Sequence, residues 1–289
     1  MNKRIVMNND HGADCAALRT ALVRALGDAA AGYADLTTGD DCTAVVAAAL
    51  TRWQAEAGLV ADGICGPCCQ HELGLRPLPD LEHALDVQAV RHLFPATRPS
   101  GIVRHLSYLA AALAAFGLVD RPMALLALAV IRAETEGFVP IGEAPSHWNT
   151  LPGMAPFSAY EGRFGNRETG DGARYRGRGF VQLTGRSRYR RAGTLLGIDL
   201  EALPELANAP EVAACLLAAR IRERADECRA TLARGDLRRA RRLVNGSTHG
   251  FARFRDVFSR AETAGPPPTA PLAGVSGRAT IGVDFAAIR

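Results

Sequence analysis

The residue types that could do chemistry are concentrated in two stretches. The first, Ala133-Glu134-Thr135-Glu136-Gly137, puts carboxylates at the end of an apolar helical run. The second, residues 160–185, holds seven glycines with acids, arginines, Gln182 and Thr184 between them. A polar loop does not need so many glycines. That density fits a backbone held close to a ligand, with polar groups aimed at it. Carboxylates from two such segments suit cleavage of a glycosidic bond. One protonates the leaving oxygen, and the other activates water or attacks the sugar carbon. Glu134 follows Leu125, Leu126, Leu128 and Ala129 on the preceding apolar face, so it is expected at the lip of the core. Partial burial there suits a carboxyl to proton donation.

Apolar periodicity predicts the elements that must position these groups. Helices are expected over 16–26, 43–56 and 68–73, which together make a compact N-terminal unit of 1–75. A turn-rich stretch, 57–67, separates the last two. Residues 76–86, with Pro77 and Pro79, read as a short linker. Helices over 87–93, 102–116, 122–134, 187–196, 210–225, 237–244 and 253–260 define a second unit, 87–263. The predicted class is mainly α. The exception is 135–184, a long irregular segment of the kind that is usually functional in a compact domain. Residues 264–289 begin with a proline-rich run and read as a flexible tail, with a short strand or docking peptide conceivable over 279–288.

Composition narrows the classes. The 289 residues are 48% hydrophobic, enough for a substantial core, and carry a net charge of +4. Lys3 is the single lysine, so nearly all positive charge is arginine, in an alanine-rich chain. Such a bias discounts arginine number as a sign of function. A mild positive excess still draws a protein toward an anionic wall or nucleic acid. No basic helix face with interleaved aromatics supports a nucleic-acid partner. The N-terminal residues lack the apolar run of a secretory signal. Residues 106–131 are apolar but broken by Asp120, Arg121 and Pro122, which reads as two buried helices rather than a membrane span. Synthesis in the cytoplasm and action after release are expected.

Seven cysteines are present, five of them in the first quarter of the chain. Cys65 and Cys68 have CxxC spacing, and Cys15 and Cys42 could complete a zinc site, but a second CxxC is missing. Disulfides within the N-terminal unit and buried reduced thiols are the alternatives. His147 and His249 lack further ligands at suitable spacing. No metal or cofactor is expected.

Two resemblances follow from ordered motifs. Trp53-Gln54, Gly58-Leu59, Asp62-Gly63 and Gly66-Pro67 resemble the signature of the peptidoglycan-binding domain of wall hydrolases, over about 60 residues. Cys68 and Cys69 depart from the Arg, Ser or Thr expected there. Residues 87–260 resemble glycoside hydrolase family 19, the chitinases and endolysins with a lysozyme-like helical fold. The match rests on Glu134-Thr135-Glu136-Gly137, on Tyr160-Glu161-Gly162-Arg163, and on Gly170-Asp171-Gly172. It continues through Tyr175, Gly177-Arg178-Gly179, Gln182-Leu183-Thr184-Gly185-Arg186 and Tyr189 to Val244-Asn245-Gly246.

The resemblance implies roles. Glu134 becomes the general acid, and Glu161 the base for the attacking water in an inverting mechanism. Thr184 would hold that water, Gln182 would bond the sugar, and Asn245 would lie along the substrate groove. Tyr175 and Arg178 would shape the site. Glu136, Glu143 and Glu168 stand as alternatives to Glu161. Asp171 and Asn166 read as loop-pinning residues, and Trp148 as either a sugar platform or packing. Two positions depart from the family pattern. Ala133 replaces a histidine before the acid. Arg188 replaces an asparagine, a change that either favours an anionic glycan or weakens binding. The implied protein is a monomeric cell-wall glycan hydrolase acting on peptidoglycan. A chitinase and a wall-binding protein without activity are the alternatives.

Overall fold

The computed structural model describes residues 4–79 and 85–263. The C-terminal segment, 264–289, and part of the expected linker, 80–84, therefore lie outside the described residues. Described residues are mainly helical, with twelve α-helices and one two-stranded ribbon. No described helix is long and apolar enough to cross a membrane.

The N-terminal unit contains α1 (Ala13–Leu26), α2 (Ala44–Glu56) and α3 (Pro67–Glu72). Leu18, Leu22, Val46, Leu50 and Trp53 form its own core with Cys15, Cys42, Cys65 and Cys69. Gln54 shows why an aromatic-glutamine pair belongs here. Its fully buried amide donates to Asp62 Oδ1 at 3.1 Å and to the Ile64 carbonyl at 3.0 Å, and it accepts from Gly63 N at 2.9 Å. One side chain thus ties together three residues of the turn joining α2 to α3. The seven cysteines are buried and none is joined in a disulfide among the described residues, with Cys15 and Cys42 in side-chain contact.

The second unit is built on α5 (Pro99–Ala115), α6 (Arg121–Glu134) and α9 (Pro210–Arg222). Each is apolar nearly all round, as a buried helix must be. Around them lie α4 (Val87–Leu93), α7 (Asp171–Arg174), α8 (Arg186–Leu196), α10 (Ala225–Ala233), α11 (Leu237–Asn245) and α12 (Phe251–Thr263). Helix α12 packs on α6, and α9 on α5. The helix expected over 210–225 ends at Arg222, and a further helix, α10, follows where none was expected. Arg224, at φ −135° and ψ 29°, breaks the chain before α10 begins. The irregular segment holds β1 (Ile141–Gly142) and β2 (Arg178–Gly179), paired antiparallel with Ile141 opposite Gly179.

The units are joined by more than the chain between them. Helix α3 packs on α5, and Ile5, Ile64 and Cys68 belong to the large core. Glu211 of α9 is fully buried and reaches across. Its carboxylate accepts from Cys69 N at 2.8 Å and Cys68 N at 3.3 Å, the unpaired donors at the start of α3. Tyr108 of α5, also buried, accepts from Val60 N at 2.6 Å. Gly66 lies under the Glu211 side chain, where an added Cβ would stand 2.5 Å from Oε2 and 2.7 Å from the Glu211 Cβ. Gly66→Ala is therefore expected to push the units apart and lower stability by about 2 kcal/mol, the scale of core overpacking. Urea unfolding of the variant beside wild type measures it.

Candidate active site

Glu134 is placed by the end of α6. Asp120 caps the start of that helix, accepting from Met123 N at 3.3 Å. The helix stops after Glu134 because Glu136 takes a left-handed conformation, φ 42°, before Gly137. Ala133 packs against Gly250, where an added Cβ would come within 3.2 Å of the alanine Cβ. The backbone approach thus fills the side of Glu134 where a polar neighbour was expected.

A second helix fixes the carboxylate. Arg241 and Asn245 are four residues apart on α11 and so share a face. Both donate to Glu134 Oε1, Arg241 at 2.6 Å and Asn245 through its amide. Arg241 is fully buried and also donates twice to the His249 carbonyl, at 2.8 and 3.1 Å. Oε1 is thus committed to protein, while Oε2 keeps its lone pairs for a ligand.

Glu134 lines a cleft of about 610 Å³ with two further carboxylates, Glu223, which is paired with Arg191 and Arg220, and Glu143. Glu143 follows β1, and its N–H donates to the carbonyl of Gly177, the residue just before β2, at 2.7 Å. Its Oε1 accepts from Asn149 Nδ2 and Tyr160 Oη, both at 2.8 Å, and its Oε2 accepts from Gly177 N at 3.1 Å. Burial, and next the bond to Glu143, push the Tyr160 phenol up to about 12, so it remains a proton donor to that carboxylate.

Three oxygens converge beside Gly177. A Cβ built there would lie 2.8 Å from Gln182 Oε1, 3.1 Å from Glu143 Oε2 and 3.3 Å from Thr184 Oγ1. The absence of a side chain at 177 keeps that point open. Thr184 donates its proton to the Gln182 carbonyl at 2.9 Å, which leaves its hydroxyl oxygen as an acceptor. Gln182 sits at φ 49°, a strained conformation for a side-chain-bearing residue, and its amide nitrogen donates to Ile141 and Gly179 carbonyls at 3.0 Å. That strain presents Oε1 to the cleft side of the ribbon.

Of the residues singled out in the sequence, Glu134, Gln182, Thr184, Arg188 and Asn245 all line the cleft. Glu161 and Tyr175 are not among its lining residues. Glu143, one of the alternatives to Glu161, does line the cleft. Glu161 Oε1 is occupied by Gly170 N at 3.0 Å and Gly172 N at 3.2 Å, and so pins the Gly-Asp-Gly turn. Tyr175 is buried against Tyr189, with ring centroids 5.5 Å apart, and donates to the Glu201 carbonyl. Glu168 is exposed and paired with Arg186, and Glu136 is paired with Arg253. Arg178 is buried, donating to Tyr189 Oη and the Arg174 carbonyl.

The loop is held from beneath. Asp171 accepts from Arg167 N, Glu168 N and Arg186. Burial pushes its carboxyl up, but those donors outweigh burial and hold it below the usual range. Asn166 ties the Tyr160 carbonyl to Arg186 N. His249 lines the cleft, while Trp148 is 81% exposed with its ring against His147. Sequence reasoning did not single out Arg241, Tyr160 and Asn149. The one available signal was the four-residue spacing of Arg241 and Asn245 on a single helix.

Among the described residues no cluster of His, Cys, Asp and Glu is arranged to hold a metal ion. The fold and cleft define a mainly helical protein with three carboxylates, Glu134, Glu143 and Glu223, in one groove, the last of them paired with arginines. Comparison with known families finds no model that matches the chain, and comparison with curated proteins finds no similar one.

Proposed function

We propose that the protein is a lysozyme-like glycoside hydrolase, with Glu134 as acid and Glu143 as base, that cleaves β-1,4 bonds of peptidoglycan by inversion. The observation that carries this reading is the convergence of Glu143, Thr184 and Gln182 oxygens at Gly177 in the cleft that holds Glu134. The motif resemblance to glycoside hydrolase family 19 and to peptidoglycan-binding domains supports it.

A water in that corner donates one proton to Thr184 Oγ1 and the other to Glu143 Oε2. As its oxygen attacks the anomeric carbon, Glu143 takes the proton. On the opposite face Glu134 gives its proton to the glycosidic oxygen, and the bond to the leaving sugar breaks. Inverting enzymes hold their carboxyls roughly 6.5–9.5 Å apart so that water fits between sugar and base. In this reading Glu143 Oε2, which carries one donor, is the oxygen that takes the proton, while Oε1 is held by two. Solvent then returns both carboxyls to their starting states. The N-terminal unit acts as the wall-binding module, which raises the effective concentration of glycan at the cleft.

The test is product analysis. Purified peptidoglycan incubated with the protein should release new reducing ends, and proton NMR during early turnover should show the α-anomer first. Faster cleavage of chitin oligomers would assign the substrate to chitin instead. Sedimentation with walls and no reducing ends from either glycan would make it a binding protein and sink the hydrolase reading.

A further inference from the structure

Beside the cleft lies a second concavity, of about 1060 Å³, at the junction of α8, α9, α10 and α11. It shares Arg191, Arg220, Glu223 and Gly246 with the cleft lining, so the two are continuous. Six arginines line it against three carboxylates, Glu223, Asp226 and Glu227. Those carboxylates are already shared out. Glu223 accepts from Arg191 at 2.8 Å and Arg220 at 3.1 Å. Glu227 accepts from Arg239 at 2.9 Å and Arg224 at 3.2 Å, and Asp226 pairs with Arg229 at 3.1 Å. Arg222 and Arg242 are exposed and have no acidic partner among the described residues. The basin is thus a cationic surplus at one end of a glycan groove, with two uncommitted guanidinium groups.

Resting on the proposed glycan cleavage, we infer that this basin is a subsite for the carboxylates of the stem peptide on a peptidoglycan strand. A glycan bound in the cleft would bring its substituents to this basin through the shared lining of Arg191, Arg220, Glu223 and Gly246. Peptidoglycan carries acidic peptides on its lactyl groups, whereas chitin carries no anion. A guanidinium meets a carboxylate with two parallel hydrogen bonds, which the ammonium of a lysine cannot match. Arg188 on the cleft wall extends the same positive surface toward the glycan. The basin would thus set substrate class, while the carboxylate pair sets the reaction.

The experiment compares two probes, a disaccharide-tetrapeptide and the same disaccharide with its peptide removed. Equilibrium binding is measured for wild type, for Arg222→Gln/Arg242→Gln, and for Arg234→Gln, which removes an exposed charge outside the basin. Wild type is expected to prefer the peptide-bearing probe about tenfold, the double variant to lose that preference, and Arg234→Gln to keep it. An unchanged preference in the double variant, or none in wild type, overturns the subsite. Hydrolysis of peptidoglycan is followed in parallel, where KM should rise with kcat held. Peptide preference in a protein that cuts no glycan would leave the subsite standing while the hydrolase reading falls.

Discussion

Glu143→Gln and Glu134→Gln are each expected to lower the rate of wall hydrolysis about a thousandfold, while Glu161→Gln changes it by no more than a few-fold. General acid or base catalysis commonly contributes a factor of about 10² to 10⁴. A thousandfold corresponds to about 4 kcal/mol of barrier. The amide keeps the shape of each side chain but cannot exchange a proton. At 134 it cannot protonate the leaving oxygen, and at 143 it cannot take the proton of water. The contrast with 161 comes from hydrogen bonding. Glu161 Oε1 accepts from Gly170 N and Gly172 N, and a glutamine oxygen accepts from both equally well. Dye release from purified walls measures all three, with circular dichroism to confirm folding. Loss of activity in Glu161→Gln with Glu143→Gln still active would return the base to the loop and dismantle the corner at Gly177.

The helical frame was legible because long apolar runs have few ways to be buried. The apolar stretch before Glu134 predicted a helix over 122–134, and α6 spans Arg121–Glu134. Expected helices at 187–196, 237–244 and 253–260 reappear as α8, α11 and α12, with ends shifted by no more than three residues. Helix α10 was not legible as an element of its own, because it starts only three residues after α9 ends. In the site, Glu134 stood out because a helix fixes it. Glu143 did not stand out from Glu136, Glu161 and Glu168, because a loop carboxylate is aimed by distant partners. Tyr160 immediately precedes Glu161 in sequence, yet its hydroxyl reaches back to Glu143, seventeen positions away. The register between β1 and β2 decides which acid meets Thr184 and Gln182, and two-residue strands leave no periodic trace.

Between pH about 4.5 and 7 the stability of wild type relative to Glu211→Gln is expected to fall by about 3 kcal/mol as pH rises. Burial pushes the Glu211 carboxyl up from its ordinary 4.5 to about 7, against the Cys69 and Cys68 hydrogen bonds, which favour the anion. The sign follows from proton counting. Below about 4.5 both native and unfolded chains hold the proton, so the stabilisation is complete. Between the two values the unfolded chain releases a proton that the native chain keeps, and stability falls. Above about 7 both are ionised and the contribution is gone. A gap of about 2.5 pH units corresponds to about 3 kcal/mol. Other groups titrate in the same experiment. Burial raises Asp62, which adds to the fall, while Asp171, Glu201 and Glu227 are lowered and oppose it. Those contributions are common to both proteins, so the difference between their urea-unfolding curves isolates position 211. Parallel curves across this range would show that the buried carboxylate is ionised throughout. A falling difference would make the contact between the N-terminal unit and α9 strongest in acid. That is where a module docked through Glu211 should hold its partner tightest, because the native junction then carries no buried negative charge.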